Sequence, residues 1–154
     1  MLDLGRTYTI AVTAAVTAQV DLVEIVSAAD AITIIEGFQV FQSTDTDSEA
    51  LGVQGIKGFT TSGSGGSSAT PVPDDPGDAA YAGTVEVFNT TLANTGTTQT
   101  TNELGWNVLA PLIWPPQPKA IVLNPSQRWV LRTTGAPTDG LTIRLEIYIR
   151  EIGS

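Results

Sequence analysis

The chain has 154 residues and neither cysteine nor histidine. Without cysteine there is no disulfide framework and no thiolate metal centre. Without histidine the commonest general base and the commonest zinc ligand are missing, and with them every Ser-His or Cys-His pair. Charge is also scarce, at 15% of residues against about a quarter in a typical domain. Basic residues are scarcest: seven Lys plus Arg stand against sixteen Asp plus Glu, a net charge of −9 with a pI near 4.1. Affinity for nucleic acid and for anionic membranes comes mainly from basic side chains, so neither is expected as a partner. No apolar run reaches the ~18 residues of a spanning helix. The start carries Asp3 and alternating apolar residues instead of a basic region and an apolar block, so it does not read as a secretion signal. Assembly inside a cell is the expectation.

The chain has the length of one domain, 1–154, and is long enough to bury a core without staples. Nine Pro, fifteen Gly and abundant Thr favour strands and turns over helices. The clearest strand is Leu141–Ile149. Leu141, Ile143, Leu145, Ile147 and Ile149 alternate there with Thr142, Arg144, Glu146 and Tyr148, so one face meets a core and the other meets water. Comparable patterns predict strands over 7–13, 19–26, 31–43, 51–59, 84–90, 104–113, 120–123 and 128–134. Asn124-Pro125-Ser126-Gln127 reads as a turn between the last two. Eight or nine short strands with turn residues between them predict an all-β, closed or sandwiched antiparallel sheet.

The exception is Thr60–Thr84, one long Gly/Ser/Pro-rich loop. Its Gly/Ser half is expected to be flexible and its Pro-rich half extended. A loop of this length inside a domain is usually functional or disordered. Charge is uneven as well. Residues 1–118 hold thirteen acids against Arg6 and Lys57, whereas Lys119, Arg128, Arg132, Arg144 and Arg150 outnumber the acids of the last stretch. That mildly basic tail either docks on an acidic surface of a partner or another copy, or forms solvated strand faces.

Little in the sequence points to chemistry. Asp45, Asp47 and Glu49 alternate as at the start of a calcium loop, but the glycine and the distant glutamate of that loop do not follow. Asp74, Asp75 and Asp78 cluster in PDDPGD, where Asp serves either a hard cation or its own turn. GSGG at 63–66 lacks the GK[ST] of a phosphate loop. Asn89-Thr90-Thr91 fits the glycosylation pattern, though a chain that is not secreted would not meet the transferase. No enzyme, metal or cofactor is expected. Trp114, in LIWPPQP beside Pro115, is either a contact anchor or a cap on the core at a strand end. Trp129, alternating with Leu131, reads as core. The candidate partner contacts are Thr70, Pro71, Pro73, Asp75, Pro76 and Tyr81 in the loop, with Trp106, Trp114 and Pro115.

The run FTTSGSGGSSATPVPDDPGDAAYAGTVEVFNTT, residues 59–91, resembles a stretch in a group of small proteins encoded by tailed bacteriophages. In that group TTSGSGG leads through TPxPxDPGDAA to TVExxNTT. GWNV at 105–108, the Pro-rich patch and the ending LTIRLEIYIREIG are similar too, so the resemblance covers nearly the whole chain. Tyr81 stands where the group has a small residue, and NPSQ replaces a PGE-like turn. The resemblance implies a virion protein with a jelly-roll-like β-sandwich of about eight strands, acting in capsid decoration or cement. The implied partners are the major capsid protein and further copies of the chain, a trimer rather than a dimer, on the outer capsid surface. Loop 60–84 would then reach a neighbour and order on binding. The alternatives are a head-fibre, neck or tail module, or a host-glycan reader presenting Trp106 or Trp114.

Overall fold

The computed structural model describes residues 4–114 and 120–153. Among them are twelve strands and no helix: β1 (Arg6–Val16), β2 (Asp21–Val26), β3 (Ile32–Gln42), β4 (Ala50–Lys57), β5 (Ser67–Ser68), β6 (Val72–Pro73), β7 (Thr84–Asn89), β8 (Gln99–Asn107), β9 (Leu112–Trp114), β10 (Ile121–Leu123), β11 (Arg128–Thr133) and β12 (Leu141–Ile152). All pairings are antiparallel. The first sheet runs β10-β3-β12-β1-β6, with β9 also on β3. The second runs β5-β7-β2-β11-β4-β8. The pairs nest, first strand with last and working inward: β1 with β12, β2 with β11, β3 with β10, and β4 with β8.

The two sheets close on one core, in a β-sandwich-like arrangement. The odd residues of β12 from Leu141 to Ile149 are all buried, as their period-two spacing requires. Each such side chain contributes roughly 1.5–3 kcal/mol by leaving water. Phe38 of the first sheet meets Trp129 of the second, their rings 6.1 Å apart and both without exposure, so Trp129 is core.

Two stretches differ from the sequence expectation. Residues 104–113 are not one strand. They hold the end of β8, a turn, and the start of β9, which lies in the other sheet. Asn107 makes the break, because its side chain accepts the Leu109 amide at 3.1 Å and its carbonyl accepts the Ala110 amide at 2.9 Å. Within the long loop 60–84, β5 joins the second sheet through β7 and β6 joins the first through β1. At 124–127 the turn is as read: the Gln127 amide donates to the Asn124 carbonyl, and Ser126 has φ of 61° behind Pro125.

Candidate functional site

The loop expected to be flexible is tied to its own domain along its length. Residues 59–66 lie against residues 89–95 and are bridged at Thr61–Asn94 and Ser64–Thr91. This two-layered cover is held by two ion pairs on β2 and β11. Glu24 pairs with Arg128 at 2.6 Å and also accepts the Ser62 hydroxyl and the Gly63 amide. Asp21 pairs with Arg132 through both oxygens and accepts the Ala93 amide at 2.7 Å. The Arg128 guanidinium donates to the Phe59 carbonyl, and that of Arg132 donates to the Ala93 carbonyl and lies 4.8 Å from the Phe59 ring centre. A register shift between Leu131 and Arg132 sets Asp21 opposite Arg132. Both carboxylates are buried, so each depends on its partners for solvation.

The glycines of GSGG therefore serve close approach, not mobility. A Cβ at Gly63 would stand 2.7 Å from the Thr91 carbonyl oxygen, and one at Gly66 would stand 2.1 Å from that of Val87. Further on, the Asp74 amide donates to the Thr7 carbonyl, Asp75 caps its own turn by accepting the Gly77 amide, and Asp78 faces Arg6. The segment returns through Ala82, whose amide donates to buried Glu151. It thus straps β5 to β6 across one side of the sandwich.

Of the nine expected contacts, three are turned inward. Tyr81 is buried between Tyr8 (ring centres 5.6 Å apart), Thr33 and the Val26 carbonyl, and burial pushes its hydroxyl pKa up to about 12. Tyr8 is raised as well, by burial and then by the Glu151 charge. Trp106 is 2% exposed and donates to the Ala110 carbonyl at 2.7 Å. Pro71, within the strap, is buried. Tyr81 and Trp106 belong to the core, and none of the three offers an exposed contact. Thr70, Asp75 and Pro76 are exposed, and Pro73 is half-buried opposite Tyr8. Trp114 is half-buried and stacked on Phe38 with centres 5.4 Å apart, while Pro115 lies outside the described residues. The strap residues and the Trp106–Trp114 group sit at opposite ends of the sheet orders, so the structure does not bring the nine together.

The basic tail is also used internally: Arg128, Arg132 and Arg150 pair with Glu24, Asp21 and Glu36 of the acidic part. Arg144, by contrast, is exposed on β12 as a solvated face requires, and Lys119 lies outside the described residues. Asp45 accepts the Asp47 amide in a turn of its own, and no acidic cluster suited to a metal occurs among the described residues. The Asn89 amide is 1% exposed, bonded to the Gly66 amide and to Glu86.

What sequence reasoning missed is a rim. Leu109 (51% exposed), Ile113 (59%) and Val122 (44%) are three of the five large apolar side chains left exposed among the described residues. They sit in the turn after β8, on β9 and on β10. Ile113 and Val122 point outward because Leu112, Trp114, Ile121 and Leu123 take the inward positions of these short strands. In sequence, aliphatics within LIW and IVL look like core; only the pairing of both strands with β3 shows which faces are bare.

Compared with protein-family models, curated proteins and solved structures, the chain matches none.

Proposed function

We propose that this chain is a structural virion protein, a decoration or cement protein that seats on the outer surface of a phage head and braces contacts between capsomers. The observation that carries the reading is the group of exposed aliphatics Leu109, Ile113 and Val122 at the β8–β9–β10 end of the sandwich. Large apolar side chains bared on two strands along the same edge of β3, opposite Gln39 and Ile34, and in the turn after β8 offer separate anchors for protein contact. The nested strand pairs support a jelly-roll winding of the two sheets. The resemblance of residues 59–91 to the phage group supports the virion setting. A cement protein needs rigidity, a contact face and repetition but no catalytic group. Binding the assembled shell and not its separated subunits stabilises the shell by mass action. Self-association and engagement of several capsid subunits add avidity to a modest rim. The partner is thus the major capsid protein, without nucleic acid or membrane, and the place is the outer head surface after assembly in the host cytoplasm.

Gel densitometry of purified particles tests this reading. Hundreds of copies per particle are expected, with heat resistance lost when the protein is stripped. A few copies per particle would favour the neck, tail or head-fibre alternative. Absence from particles would overturn both. The glycan-reader alternative loses its aromatic platform, since Trp106 is buried and Trp114 is stacked on Phe38.

A further inference from the structure

β1 lies between β12 and β6, but β6 covers only Tyr8 and Thr9. Beyond them the outer edge of β1, through Ala11, Thr13 and Ala15, has no strand beside it among the described residues. The Asp74 amide donates to the Thr7 carbonyl on this edge at 2.9 Å. The two-residue period of an antiparallel ladder then turns the N–H and C=O groups of Ala11, Thr13 and Ala15 the same way. Natural edges are usually protected by lysine, proline, a bulge or a covering loop. This stretch carries no lysine, proline or bulge: its side chains are alanine, threonine and valine, its ladder to β12 runs without a register shift, and the strap beside it stands off across a groove without pairing to it.

A groove of about 570 Å³ runs beside this edge. Its far wall is the strap from Gly65 to Thr70, and Val87 and Phe88 contribute to its floor. None of its fifteen lining residues is charged, in a chain of net charge −9. A chain of net charge −9 repels its own copies overall, so an uncharged stretch is where two of them meet at least cost. Approaching here, they set alanine and threonine against the same residues.

We propose that the occupant is the β1 strand of a second copy, paired antiparallel about a two-fold axis at Thr13. In that register Ala11 faces the partner's Ala15 and Thr13 faces its own counterpart. Such an interface is self-complementary, as a two-fold contact must be. It adds main-chain hydrogen bonds in the manner of strand addition and joins the two first sheets into one. The register ends where Val72 already occupies the place opposite Thr9. A two-fold pair, not the trimer expected from the sequence, follows from this edge. The inference concerns the free chain in solution and stands apart from the virion role.

The absence of cysteine makes the test direct. Across the axis the two Thr13 Cα atoms would lie about 5.5 Å apart, within the roughly 4.4–6.8 Å of a disulfide. Two Ala15 residues would be offset by four positions, about 13 Å. Under mild oxidation of the full chain, T13C is expected to form a covalent dimer, A15C to stay monomeric, and A11C/A15C to cross-link. Sedimentation equilibrium of the unmodified chain should show a dimer. T13K, which sets two ammonium groups at the axis from an exposed position, should raise its dissociation constant about tenfold or more. The proposal is overturned if folded T13C does not cross-link, if A15C cross-links as readily as T13C, or if the unmodified chain is monomeric at its highest soluble concentration.

Discussion

On one side of the sandwich, residues 59–84 cover β2 and β11 and cross from β5 to β6, anchored to the buried Glu24 through Ser62 and Gly63 and to Arg128 through the Phe59 carbonyl. On the other side, β8, β9 and β10 have no further strand beside them among the described residues, and Leu109, Ile113 and Val122 face solvent. The segment richest in glycine and serine, which composition marks as loose, is the better held of the two. The short aliphatic stretches, which composition marks as core, are partly bare. Chemical partners decide this difference, not residue type. A glycine beside a carbonyl and a hydroxyl beside a buried carboxylate are constraints, whereas an isoleucine on a three-residue edge strand has no second layer to meet. A contact surface is therefore to be sought at the rim, and the strap read as architecture.

The largest effect is expected at Arg132. Arg132→Met leaves Asp21 buried without its cation and frees the Ala93 carbonyl, so a loss of about 3–5 kcal/mol is expected in urea denaturation. Adding Asp21→Asn should recover part of that loss, because the uncompensated charge is then removed.

The next effect is alkaline. Burial raises the Tyr81 pKa from 10.0 to about 12, so the unfolded chain releases that proton first as pH rises. Stability from this group is complete below pH 10 and falls between about pH 10 and 12, by about 2–3 kcal/mol in all. Tyr8, raised in the same direction, adds to the slope. Tyr81→Phe should flatten the pH dependence of the urea midpoint over that range, and an unchanged slope would remove Tyr81 from the account.

A smaller loss is expected for Gly66→Ala, whose Cβ would meet the Val87 carbonyl: about 1–3 kcal/mol, read from the thermal midpoint. A neutral outcome would mean that the strap gives way easily. Ile113→Asp probes the opposite end of the sandwich. Stability should move by less than about 0.5 kcal/mol, since the residue is exposed, while head binding in a cosedimentation assay is abolished.

Much of the fold was legible because its causes are local. The alternation at 141–149, the turn at 124–127 and the inward Trp129 follow from period two and turn chemistry alone. The sheets as such were legible too, since nine patterned stretches leave little else for a chain of this composition to build. What was hidden depends on residues far apart in sequence. Glu24 and Arg128 are 104 positions apart and Asp21 and Arg132 are 111, so no spacing rule joins them. The inward turn of Tyr81 rests on Thr33, and that of Trp106 on the break that Asn107 makes. β8 begins at Gln99, in a Thr- and Asn-rich run without apolar alternation, because an edge strand has less to bury.

The measurement closest to the central claim is hydrogen exchange by mass spectrometry on the full chain, free and bound to purified phage heads. Amides of 59–66 and of Ala82 are expected to be protected in the free chain and to change little on binding, while protection appears at 108–114 and 121–123. Rapid exchange of 59–66 in the free chain, with protection gained there and not at the rim on binding, would contradict it.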